Sequence, residues 1–162
     1  MKYLAIFLSL LLILTCAGGF WLFLSADVTV AYVTTAAVEA VDRAEDFAAR
    51  QKDIVNESFL GTVYRADGKA TAEEGIYYTY TVQLKNSCLI DAEAVEIRLS
   101  PEAGDIASWP AAENVRVKAG TTGAVTVNLL TARSNSPRRT MTITYYLWGY
   151  PFEIKTSTMN PN

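Results

Sequence analysis

Three patterns of apolar and polar positions follow one another along the chain. From Tyr3 to Leu24 the sequence is apolar with no charge inside the run. About 20 such residues at 1.5 Å rise cover a hydrocarbon core of about 30 Å, so the run predicts a transmembrane anchor over residues 1–25. From Ala36 to Val55, Ala37, Val41, Ala44, Ala48 and Val55 recur at helical spacing among charged positions. This predicts an amphipathic juxtamembrane helix, with Thr34 or Thr35 as its N-cap, inside a connecting segment at 26–57. Val28 to Val33 fits a strand by its β-branched residues and a continued membrane helix by its position.

From Ser58 the period becomes two. Ile76, Tyr78, Tyr80, Val82 and Leu84 alternate with Tyr77, Thr79, Thr81, Gln83 and Lys85. The same alternation places Val95, Ile97 and Leu99, then Val115 and Val117, then Val125, Val127 and Leu129, then Met141, Ile143, Tyr145 and Leu147 on inner faces. Phe59 to Arg65 opens this region and Phe152 to Thr156 closes it. Turn residues separate the runs, among them Asp67-Gly68, Asn86-Ser87, Ala103-Gly104-Asp105, Ala119-Gly120 and Trp148-Gly149. About seven short strands over residues 58–157 predict an immunoglobulin-like antiparallel β-sandwich, followed by a frayed tail at 158–162.

The apolar run is longer than the core of a signal peptide, because Phe20 to Leu24 resumes it after the small residues Ala17-Gly18-Gly19. A retained anchor is the first reading. Cleavage to a secreted form and lipid modification at Cys16 are the alternatives. Lys2 flanks one end and no Lys or Arg follows the other until Arg43, which puts the N-terminus in the cytoplasm and the β domain outside the membrane. The two residues left on the inner side are too few for a signalling tail.

Composition narrows the chemistry. The chain has no histidine, which removes Ser-His-Asp and Cys-His nucleophiles and the commonest zinc ligand. Basic residues are scattered and the net charge is −3, so nucleic acid is not an expected partner. Cys88 is the only cysteine beyond the apolar run and reads as a small buried hydrophobe. Glu102 with Asp105, Glu73-Glu74, and Asp91 with Glu93 lack the density of a calcium loop and read as solvated charge. No phosphate loop precedes a helix. The sequence therefore calls for no cofactor, no metal and no small-molecule substrate, and the expectation is a protein that is not an enzyme.

The series Tyr80-Thr81-Val82-Gln83-Leu84-Lys85-Asn86, Asp91 to Ile97, and Val117-Lys118-Ala119-Gly120-Thr121 leading into Val125-Thr126-Val127 resembles bacterial and archaeal immunoglobulin-like modules of cell-surface and adhesion proteins. It covers Ser58 to Thr156. The resemblance implies a fold and no activity, since such modules share none.

The remaining candidate chemistry is aromatic. Alternation leaves Tyr77, Tyr146 and Trp148 on outer faces, and Tyr150 sits at a turn. Exposed Tyr and Trp are enriched at binding surfaces, so these four form a candidate partner surface, unless the juxtamembrane helix covers them. The functional expectation is a single-pass, extracytoplasmic, non-enzymatic binding or accessory subunit of a cell-envelope complex, with the membrane and an envelope protein as partners. The alternative is a pilin-like or secretion-system assembly subunit, in which the apolar helix, the amphipathic helix and the β domain pack side by side in a filament.

Overall fold

A computed structural model describes residues 2–24 and 27–158. It is mainly β, with two antiparallel sheets and an apolar N-terminal helix. Helix α1, Lys2–Leu24, has no proline to break it, and none of its Tyr3–Trp21 stretch is buried. Its Ser and Thr hydroxyls bond back along the helix. Ser9 Oγ donates to the Ala5 carbonyl at 2.9 Å and Thr15 Oγ1 to the Leu11 carbonyl at 3.0 Å.

Among the described residues nine strands follow. They are β1 Val28–Glu39, β2 Thr62–Val63, β3 Gly75–Asn86, β4 Ala92–Leu99, β5 Asp105–Pro110, β6 Val115–Val117, β7 Thr122–Ala132, β8 Thr140–Leu147 and β9 Tyr150–Ser157. Their order is β1-β3-β7-β5-β2 in one sheet and β6-β4-β8-β9 in the other. The main core lies between the sheets, where Tyr80, Val82, Leu84, Leu129, Met141, Ile143 and Leu147 are fully buried. These are the inner-face positions that strict alternation selects.

Several expectations are corrected. Val28 to Glu39 is a strand along its whole length, pairing with β3 from Val28–Asn86 to Glu39–Ile76. Thr34 and Thr35 therefore lie in a sheet and cap nothing, and residues assigned to the juxtamembrane segment belong to the two-sheet body. The β-branched composition decided the outcome, since β3 offers a long partner. The helix begins later: a 3₁₀ turn at Ala40–Arg43 leads into α2, Ala44–Val55. The expected stripe is also displaced. Val41, Ala44, Ala48 and Val55 are exposed, and the side chains that pack inward are Phe47 and Ile54, with Ala40 in the turn.

Strand β5 was not expected, because Ile106 to Pro110 does not alternate. Its Ile106, Ala107 and Ser108 are all buried, as befits a strand covered on both faces. The opening strand shrinks from Phe59–Arg65 to the two residues of β2. Before it, the backbone passes Gly61 at φ +155°, where an added Cβ would lie 2.4 Å from the Ser108 carbonyl oxygen. Thr158, expected to fray, is held by its amide to the Arg139 carbonyl at 3.0 Å. Residues 159–162 lie outside the described residues.

Candidate functional site

Antiparallel pairing gathers one set of strand ends where the chain enters from α1. Val28 pairs with Asn86, Lys85 with Thr122, Ala92 with Val117 and Glu93 with Tyr146, so the start of β1, the 87–91 loop, the 118–121 turn and the β8–β9 turn share this entry end. Buried Asn86 ties it together. Its Nδ2 donates to the carbonyls of Ile90 at 2.9 Å and Val117 at 3.0 Å, while its Oδ1 accepts the Cys88 amide at 2.9 Å. Asp27 is clamped next to it, with its amide 3.2 Å from Cys88 Sγ and its carbonyl accepting the Ser87 amide at 2.9 Å. Asp91 Oδ1 accepts the Ala119 amide at 2.8 Å.

The structure separates the four candidate aromatic residues. Leu147 pairs directly with Tyr150, so Trp148-Gly149 is a two-residue hairpin loop with φ of +52° and +79°. Positive φ at both positions is the requirement of a type I′ turn, which Asn-Gly normally fills. Tyr146 pairs with Pro151, on the face opposite Leu147 and Tyr150. Tyr146, Trp148 and Tyr150 therefore crowd one hairpin tip without sharing one face, and they are 37, 44 and 65% exposed. In the 87–91 loop of the same end, Leu89 is 75% exposed. Aromatic content alone could not reveal Leu89. The available signal was an apolar pair, Leu89-Ile90, in a turn segment.

Tyr77 does not belong to an exposed surface. It faces away from the main core as alternation predicts, yet it is buried beneath α2 in a second cluster with Phe47, Ile54, Ile106 and Leu130. Trp109 meets it edge to face at 6.1 Å, and the Arg50 guanidinium sits 4.0 Å from the Trp109 ring centre. Burial pushes the Tyr77 phenol up to about 12, partly opposed by the charge of Arg50. Adjacent apolar pairs, Tyr77-Tyr78, Ile106-Ala107 and Leu129-Leu130, were the sequence sign that this end of the five-stranded sheet is covered on both faces.

Two other features stand apart. An open groove of about 740 Å³ runs between β2–β5 and β4, lined by Leu60, Tyr64, Ile97, Trp109, Asn114 and Val127. At the end opposite the entry, Arg139 is buried among Glu102, Asp105 and the 131–138 segment, so Asp105 is an interior charge and not the solvated one expected. Asp91 and Glu93 stay at the surface, and Arg116 bonds them at 3.8 and 3.0 Å.

Among solved structures the chain is similar to a FixG-related protein from Vibrio parahaemolyticus. The TM-score is 0.34 and the identity 12%, over 77% of this chain and 93% of that one. No family model and no curated protein matches the chain.

Proposed function

We propose that this chain is a single-pass membrane protein whose immunoglobulin-like β-sandwich lies on the extracytoplasmic side and serves as a non-enzymatic binding or accessory subunit of a cell-envelope complex. The observation that carries the reading is α1 itself: Tyr3–Trp21 is apolar, unburied by the rest of the chain, and satisfies its own Ser and Thr hydroxyls, as a segment surrounded by hydrocarbon must. Lys2 at the start of the run supports a cytoplasmic N-terminus. The exposed aromatic tip at the entry end supports a contact role, since rigid half-polar rings contribute large contact area. The amphipathic α2 is already occupied by its own sheet through Phe47 and Ile54, which weighs against a filament subunit that needs that face for neighbours.

Membrane fractionation, combined with protease added to intact spheroplasts, tests the reading. The two-sheet body should be digested from outside while an apolar fragment stays in the membrane. A shortened soluble product starting near Phe20 or Asp27 would overturn it.

A further inference from the structure

We propose that the entry end of the two-sheet body rests in the interfacial layer of the membrane, with Leu89, Trp148 and Tyr150 touching lipid. This rests on α1 being a retained anchor, and it names the partner of the exposed aromatic tip.

Reach comes first. α1 ends at Leu24 and Asp27 is already locked to the 87–88 loop by its amide and carbonyl. Three residues extend at most about 11 Å, so the end of a membrane-spanning α1 and the Ser87-Cys88 loop cannot separate by much more than that. Leu89 is the next residue along, and the β8–β9 turn lies two residues beyond the Glu93–Tyr146 pair at the same end.

Leu89 and Tyr150 expose most of their large side chains, 75 and 65%, and Trp148 exposes 44% of its own at the hairpin loop. Trp and Tyr partition to the headgroup level, with the ring in the apolar boundary and the polar atom in water. Lys85 and Lys118 are exposed at this same end together with Asp27 and Glu93, so the contact rests on the apolar tips and not on net charge. At the opposite end the loops 100–104 and 133–139 carry Glu102, Arg133, Asn135 and Arg138 with no large exposed apolar side chain, and the adjoining 3₁₀ turn exposes Val41 but no aromatic ring. Finally, Trp148 holds a left-handed φ that a bulky side chain adopts at a conformational cost. A ring kept at a turn position that favours Asn or Gly is accounted for by a contact made at the tip.

The test uses the full chain in phosphatidylcholine and phosphatidylglycerol vesicles containing a lipid with a nitroxide near its carbonyl. Subtracting the emission of Trp148→Phe from that of the unaltered chain isolates Trp148, and Trp21→Phe isolates Trp21 in the same way. Both components are expected to lose most of their intensity to the nitroxide, with Trp148 emission blue-shifted from that of a water-exposed indole. A quenched Trp21 beside an unquenched Trp148 would overturn the inference while leaving the anchor in place, and would return the tip to a protein partner. Quenching of neither would remove the anchor and the inference together. Should Trp148→Phe fail to fold, Trp148→Tyr supplies the same subtraction.

Discussion

Arg139 and Asp105 form a hydrogen-bonded ion pair, Nη2 to Oδ1 at 2.9 Å, with both side chains withdrawn from solvent. Asp105 Oδ1 also accepts the Thr131 hydroxyl at 2.7 Å, and its Oδ2 accepts the Glu102 amide at 2.8 Å. Arg139 Nη1 donates to Glu102 at 2.6 Å and to the Ser136 carbonyl at 2.8 Å. The pair therefore pins the 131–139 segment to the start of β5. Replacing Asp105 with Ala removes the buried one of the two carboxylates paired with Arg139 and leaves only the half-exposed Glu102, so the expected loss is about 3 kcal/mol, the low end for breaking a buried pair. Urea unfolding of the variant measures it. A midpoint within error of the unaltered protein would mean that water reaches Arg139 and the network is not closed.

Trp148 is expected to resist the fold locally. Its φ of +52° suits Asn or Gly, so Trp148→Asn should raise stability by about 0.5–1 kcal/mol in the absence of lipid. Thermal unfolding in detergent reports the sign. A lowered midpoint would show that the ring packs on its own chain, which would also weaken its assignment to an external surface.

Tyr77 and Tyr80 give a prediction in alkali. Burial pushes both phenols up to about 12 from the ordinary value of 10.0. Between these values the unfolded chain has released protons that the folded one still holds, so the contribution of these two phenols is fully present below pH 10 and stability should fall as pH rises from 10 toward 12. Tyr77→Phe should flatten part of this fall. Among the described residues the Tyr77 hydroxyl has no hydrogen-bond partner, so at neutral pH the same change is expected to be neutral or stabilising by about 1 kcal/mol. A loss of stability at pH 7 would indicate a hydrogen bond that the hydroxyl makes in solution.

Cys88 is buried where the chain enters the first strand, with Asp27 donating its amide to the sulfur at 3.2 Å. Cys88→Ala should cost about 1 kcal/mol through lost packing. The native thiol should react with a maleimide only as fast as the body opens. Labelling within seconds at neutral pH would mean that this end is mobile enough to expose the sulfur, and the fixed tether on which the lipid contact depends would not hold.

Much of the fold was legible because alternation is a local property. Every inner-face position read from β3, β7 and β8 lies in the core, since a strand turns successive side chains to opposite faces whatever its neighbours are. Errors arose where both faces are covered. Ile106-Ala107-Ser108 does not alternate and Tyr77 holds an outer-face position, and pattern alone does not reveal the layer that packs on that outer face. The start of α2 depends on the sheet for a related reason: Ala36 and Ala37 tolerate either conformation, and pairing with Thr79 and Tyr78 respectively makes them strand. Of the four aromatic candidates, three remain exposed and one lies under α2, while Leu89 joins them only through the pairing of distant strands.

What the sequence by itself determined was the apolar helix and the set of alternating strands, because charge-free length and a two-residue period depend on neighbours in the chain. The tertiary structure decided which outer face α2 covers, that Asp105 is an interior charge facing Arg139, and that Leu89, Trp148 and Tyr150 meet at the end where the chain enters. Those outcomes depend on long-range pairings such as Val28 with Asn86 and Glu93 with Tyr146. Such pairings follow from many weak contacts competing at once, and no short stretch of residues contains that information.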